Sequence, residues 1–274
     1  MGTITKSLSL LNLFTPDRAE MGLAEFVRLS KRDKATVHRY LTELAENGFL
    51  EQNPESRAYR LGPAVLRLSA LREAQFPVRK LLRPIVVDLS TRVGELVHAS
   101  LLEGDALSPL IHADPKLHGV QVHFDITEML PLHATSSGLA VLAFCPDDMR
   151  RTMLSRPLKK HTALTQSDPA ALDRIIGDVR SYGLCKAAGT FDDDVTSVGA
   201  PLFGEGRRVV GALAVAVPTI RASREKMIEI SGHLLRYAEE ATTALGGTFP
   251  KGFRPLPPDW HDAAGTRQAA DIKE

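Results

Sequence analysis

A chain of 274 residues is long enough for two domains of the usual ~100–200 residues. It is 43% hydrophobic and 24% charged with a formal net charge of +1, so it has an ordinary globular composition and its total charge singles out no nucleic-acid, membrane or acidic partner. No run of roughly 18 or more apolar residues is present to span a membrane, and the opening MGTITKSLSLLNLF is too short and too weakly basic for a secretory leader.

Apolar Leu8, Leu11 and Phe14 predict a first helix over residues 3–14, broken by Thr15-Pro16-Asp17. LAEFVRLS (23–30) predicts a short second helix, and Lys31–Asp33 turn the chain into a third that ends at Asn47 with Gly48 behind it. Val37, Leu41 and Leu44 share one face of that helix, while Ala35, His38, Arg39 and Thr42 share the other. Around its start, Arg28, Lys31, Arg32, Lys34 and Arg39 outnumber the single acid Asp33, a basic footprint that the neutral total hides. FLEQ and AYRL flank an Asn-Pro turn and predict a hairpin. Three helices and a hairpin make a winged helix-turn-helix, whose last helix enters the major groove of double-stranded DNA. The candidate contacts are Lys31, Arg32, Lys34, Thr36, His38 and Arg39, with Arg57 and Arg60 in the wing.

Beyond the wing, Ala64, Val65, Leu68 and Leu71 form one apolar helical stripe suited to pairing two heads on a palindromic site. A longer helix runs from Pro77 to about Val93. ELVHASLL, ALSPLIHA and GVQVHF then predict three strands, followed by helices at about 136–145, 147–155 and 169–182. VTSVGAPLF and RVVGALAVAV predict two more strands, and a last helix covers about 222–245. The expected division is a DNA-binding head at 1–62, a linking and dimerising helix at 63–76, an α+β domain at 77–246, and a disordered tail at 247–274.

LPLHATSSGLA places His133 near Ser136 and Ser137, a pairing that invites a nucleophile. The serines lack a G-x-S-x-G elbow and no acid is marked out to orient His133, so no catalytic residue is expected. Ser136 and Ser137 fit a helix start, where free backbone N–H groups either bind a carboxylate or are simply capped. His112, His118 and His123 lack metal-ligand spacing, and Asp192–Asp194 read as a solvated loop. Neither a metal nor a cofactor is therefore expected. Cys145 and Cys185 stand far apart and suit a reducing cytoplasm.

Several motifs together resemble one family, the IclR-type bacterial transcriptional regulators. They are T-V-H-R with L-x-x-L-x-x-x-G-x-L (Thr36 to Leu50), Y-R-L-G (Tyr59 to Gly62), L-P-L-H-A-T-S-S-G (Leu130 to Gly138), V-G-A-P-L-F (Val198 to Phe203) and G-A-L-A-V-A-V-P (Gly211 to Pro218). The resemblance spans about residues 3–245. It implies a GAF-like α/β effector domain with a mainly antiparallel sheet, assembly as dimers or dimers of dimers, and control of a catabolic operon. Carried over by motif, the effector pocket takes in Val122, Ser136, Ser137, Ser197, Ala214 and Ala216. Ala187 and Ala188 stand where many relatives have an acidic pair, and Ala214 and Ala216 replace a frequent serine pattern. With Ala187 at the pocket wall, an apolar or aromatic organic acid suits the site better than a hydroxyl-rich ligand, although His98 or His112 could add polarity. Two other readings stay open: a hydrolase-like enzyme with a DNA-binding head, and a regulator whose second domain only oligomerises.

Overall fold

The computed structural model describes residues 2–261, and the chain divides into two compact units between Pro77 and Val78. In the first unit α1 (Thr3–Leu8), α2 (Leu23–Ser30) and α3 (Lys34–Glu46) precede a hairpin of β1 (Leu50–Gln52) and β2 (Tyr59–Leu61), paired Leu50 to Leu61 and Gln52 to Tyr59. The expected single helix over 3–14 is split. It ends at Leu8, and a one-turn 3₁₀ segment follows at Leu11–Leu13. The reason is packing: Leu10 is fully buried, whereas Leu8 is half exposed, so the chain tightens to bring Leu10 into the core. That core joins Leu10, Met21, Phe26, Val37, Tyr40, Leu41, Leu44, Leu50 and Tyr59.

Local chemistry sets the helix-turn-helix. Lys31 closes α2 in the left-handed region at φ 54°. Asp33 then caps α3, its carboxylate accepting the Thr36 N–H at 2.8 Å. At the far end Gly48 takes φ 74°, a conformation that suits glycine, and turns the chain into the wing. α4 (Pro63–Gln75) starts directly after the wing and buries only Ala64, against Gly48.

In the second unit α5 (Val78–Val93) leads into β3 (Leu96–Glu103) and β4 (Ala106–Ala113), and after a long irregular segment into the two-residue β5 (Leu130–Pro131). Helices α6 (Ser136–Phe144), α7 (Asp147–Leu154) and α8 (Pro169–Tyr182) follow, then β6 (Cys185–Ala188), β7 (Val195–Phe203), β8 (Val209–Pro218) and α9 (Arg224–Ala244). The six strands form one wholly antiparallel sheet in the order β5-β4-β3-β8-β7-β6. α5 and α9 pack together on one face of the sheet; α6, backed by α8, packs on the other. The fold is an N-terminal helix-turn-helix unit followed by an α/β unit with an antiparallel curled sheet.

Two expectations need correction here. GVQVHF is not a strand; residues 114–129 contain no helix or strand. The valines alternate as a strand would, but Val120 is 62% exposed and this stretch pairs with no neighbouring strand. The tail is also ordered as far as it is described. Phe249 is buried and stacks edge-on with Phe203 and Phe253; the Arg254 N–H donates to the Ser181 carbonyl; and Pro258–His261 forms a short turn of helix. Its aromatic residues supply the apolar area that composition alone hides. Residues 262–274 of the expected tail lie outside the described residues.

Candidate functional sites

On the first unit, the face of α3 opposite the core presents Lys34, Ala35, His38 and Arg39, all exposed, with Thr36 and Thr42 half-buried beside them. Arg39 lies over the ring of its neighbour Tyr40 at 5.5 Å. Lys31 is exposed at the preceding turn, and Arg57 sits at the tip of the wing with φ 57°. Asp33 is held below the usual carboxylate range, first by the Thr36 N–H and then by the Thr36 hydroxyl, so the cap stays ionised beside this basic surface.

Two of the candidate arginines are turned to other work. Arg32 Nη1 donates to the Lys6 carbonyl at 2.7 Å and to Ser9 Oγ at 3.1 Å, bracing α1. Arg60 Nε donates to Glu51 at 2.5 Å across the hairpin, and Nη1 reaches Glu20 at 3.4 Å, so its charge is largely matched within the protein.

On the second unit, a cavity of about 140 Å³ opens between the sheet and the start of α6. The structure gathers Val122, Ser136, Ser137, Ala187, Ser197 and Ala216 around it. Ala214 is the exception. It pairs with His98 on one side and Gly199 on the other, under the first turn of α6, and is fully buried without reaching the cavity. Sequence reasoning left out Phe124, Thr190 and Phe191, which complete the wall, and named His98 without placing it. The lone His in an apolar strand was the one available signal for this wall.

Gly199 is what lets α6 sit so close. A Cβ there would meet the Ser136 carbonyl group and the Ser137 nitrogen at 2.6 Å. Thr135, not either serine, is the N-cap, its hydroxyl accepting the Gly138 N–H at 3.0 Å. Ser136 and Ser137 are thus the first two helical residues, whose N–H groups have no partner within a helix. Both side chains are almost fully buried, and Ser137 Oγ donates to Thr135 Oγ1. His133 is not paired with them: its Nε2 lies 2.9 Å from the Lys159 carbonyl, to which it donates.

The irregular segment 114–129 covers the cavity with Val122, His123, Phe124, Asp125 and Glu128. It is anchored by Arg221, which forks onto buried Glu95 at 3.0 and 2.8 Å and donates through Nη1 to the Val120 carbonyl at 2.7 Å. The Glu95 bond is the main reason the Arg221 guanidinium is pushed above its usual range. Phe124 enters between two imidazoles, with ring centres 4.6 Å from His98 and 5.3 Å from His112. Asp125 and Asp192, the acids nearest the mouth with Glu128, each turn a carboxylate oxygen back onto their own loops. Among the described residues no group of His, Cys, Asp or Glu is placed to hold a metal ion, and no helix is long and apolar enough to cross a membrane.

A helix-turn-helix with a basic exposed face, in one chain with an α/β unit that encloses a small cavity, defines the class of DNA-binding transcriptional regulators. Comparison with known proteins narrows this. Residues 3–54 match the IclR helix-turn-helix domain, and residues 72–243 match the C-terminal domain of the bacterial transcriptional regulator IclR. The chain belongs to the IclR family of bacterial transcriptional regulators. A solved structure from Silicibacter sp. TM1040, described as an IclR transcriptional regulator, is 42% identical with a TM-score of 0.85, covering 93% of this chain and 100% of that one. The Pca operon regulatory protein of Acinetobacter baylyi is 26% identical over 250 residues, covering 88% of this chain and 87% of the relative. An IclR homologue of Microbacterium hydrocarbonoxydans, solved in complex with 4-hydroxybenzoate, is 26% identical with a TM-score of 0.73, covering 89% of this chain and 99% of that one.

Proposed function

We propose that this regulator binds its operator through α3 and the wing, and that a small organic acid held in the cavity of the second unit controls it. The observation that carries the reading is the placement of the α6 start. Two N–H groups without helical partners and two buried serine hydroxyls stand at the wall of a cavity whose apolar lining includes Val122, Phe124, Ala187, Phe191 and Ala216, with Asp125, Glu128 and Asp192 also on its lining. The helix dipole and free amides favour a carboxylate there. The apolar walls favour a hydrocarbon or aromatic body, at about 25 cal/mol per Å² buried. A cavity of about 140 Å³ is close to the ~150 Å³ that holds benzene elsewhere. A relative's complex with 4-hydroxybenzoate and another's role in a pca operon agree with a ligand of this class and a catabolic target.

On the DNA side, Lys34, Thr36, His38 and Arg39 supply groups for phosphates and base edges, with Lys31 at the turn and Arg57 in the wing. Arg32 and Arg60 contribute mainly by holding the head together. DNA as partner places the protein's work in the cytoplasm. Of the expected stripe, Ala64 is turned inward against Gly48, while Leu68 and Leu71 are 42% and 53% exposed on one face of α4, an apolar surface that favours self-association of two heads on a palindromic site.

Titration calorimetry of the full-length protein against aliphatic and aromatic monocarboxylates tests the sensor. At least one should bind to the wild type, and Ser137→Leu, which fills the anion position, should abolish that binding and the ligand's effect on operator affinity while ligand-free DNA binding persists. Undiminished binding to Ser137→Leu would move the pocket elsewhere.

A further inference from the structure

The α6 start accounts for one end of an acid. Two strands along the sheet from Gly199, over which that helix start sits, stands His98 on β3, in register with Ala214 of β8. His98 is 5% exposed and lines the same cavity as Ser136, Ser137 and Ala216. Its Nδ1 lies 3.1 Å from Ser100 Oγ, two residues along the strand on the same face. Ser100 is fully buried, and among the described residues its hydroxyl has no other hydrogen-bond partner. If Nδ1 carried the proton, the Ser100 O–H would be a buried donor without an acceptor. The satisfied arrangement has Ser100 donating to an unprotonated Nδ1, which puts the ring proton on Nε2. Nε2 has no protein partner among the described residues, yet it is not among the buried nitrogens closed off from accessible space.

Resting on the acid-sensor reading above, we infer that His98 is a specificity-determining residue, a fixed N–H donor that selects acids carrying a second, acceptor oxygen at the end away from the carboxylate. The ring cannot easily change role. Burial, and then the nearby His112, push its pKa down to about 4, so at neutral pH it stays an uncharged donor. Phe124 stacks on the ring at 4.6 Å and holds its plane. Of the other polar groups at the wall, Thr190 and Thr135 donate to backbone carbonyls and Asp125 and Asp192 accept from their own loops, so a plain hydrocarbon acid would leave the Nε2–H unpaired on closure. An acid with a hydroxyl or carbonyl oxygen at its distal end would satisfy it. Sites that hydrogen-bond a ligand oxygen reject the analogue lacking it, because the site's own buried group is left unpaired.

The test is a matched pair, benzoate and 4-hydroxybenzoate, titrated calorimetrically into the full-length wild type, His98→Leu, His98→Gln and Ser137→Leu. The wild type should prefer the hydroxylated acid by about tenfold. His98→Leu should lose that preference while still binding benzoate, and His98→Gln, which restores an N–H donor, should recover part of it. Ser137→Leu should lose both acids. Equal losses of both acids in His98→Leu, or a wild type without preference, would overturn the role of His98 and leave the acid sensor standing. Retention of both acids by Ser137→Leu, with the preference still lost in His98→Leu, would overturn the carboxylate position and leave His98 standing. Binding of neither acid to the wild type would overturn the inference for aromatic acids outright. Melting curves for each variant separate misfolding from lost recognition.

Discussion

Gly199→Ala is a one-methyl change that tests how closely the sheet and α6 must fit. The added carbon would lie 2.6 Å from three backbone atoms of Ser136 and Ser137. Carbon–carbon contacts settle near 3.5–4.0 Å, so α6 would have to withdraw by about 1 Å. It has no free side to withdraw to. Ser136 through Ala143 are all buried, and Gly138 already stands where a Cβ would meet Leu132 Cα and the Pro131 carbonyl oxygen at 2.5 Å. Overpacking of this kind costs about 1–3 kcal/mol. For a unit of this size that lowers the melting temperature by about 2–12 °C. The same shift carries the Ser136 and Ser137 N–H groups off their positions, so effector affinity should fall by about tenfold or more, because such sites tolerate displacements of only about 0.5 Å. Differential scanning calorimetry and ligand titration on the full-length chain measure both. A wild-type melting temperature together with wild-type affinity would refute the claim that glycine is needed for the close approach.

Arg39→Ala should weaken operator binding by about ten- to a hundredfold with loss of discrimination at one base pair, whereas Lys34→Ala should weaken all sequences alike and flatten the salt dependence; gel-shift titrations over a salt series distinguish them. Leu68, 42% exposed on α4, should act between copies, so Leu68→Glu should reduce affinity for a full palindrome far more than for a half-site, and equal losses would confine the stripe to a single chain. His98 gives a pH signature. Its pKa falls from the ordinary 6.5 to about 4 on folding, so between those values the unfolded chain binds the proton that the folded one refuses. The stability involved is fully present above about pH 6.5 and is lost as pH falls towards about 4, up to roughly 3 kcal/mol. Denaturant unfolding at neutral pH and near pH 4.5 should show His98→Gln losing less stability than the wild type over that interval, and equal losses would contradict the buried neutral ring.

The head was legible because its signals are local. Asp33 before a polar helix start, Gly48 after its end, and the Asn-Pro turn each act within a few residues, and the second and third helices fall where those signals put them. The second unit depends on pairing, which one segment cannot reveal. CKAA has little strand character of its own and was missed; it becomes β6 because Lys186 and Ala187 pair with Val198 and Ser197. GVQVHF has the better pattern, yet serves as a cover over the cavity. At the site, the helix start was readable from T-S-S-G. Ala214 was misplaced because its shielding comes from α6 crossing Gly199, a contact between segments more than 60 residues apart in the chain. Arg32 looked available for the same reason, since its partner Lys6 lies far away in sequence, and Arg60 because Glu51 faces it only once the hairpin is paired.

The segment after α9 bears on where this protein can be cut. The family domain ends at residue 243, but Phe249 and Phe253 lie beyond it and complete an aromatic set with Phe144 and Phe203, which belong to α6 and β7. Gly183, at the end of α8, faces the Phe253 ring so closely that a Cβ would come within 2.7 Å of it. A fragment trimmed at the family boundary would therefore strip the cover from two phenylalanines beside the helix that frames the cavity. An isolated sensor domain that proved sticky or deaf to its ligand would report on the scissors rather than on the sensor.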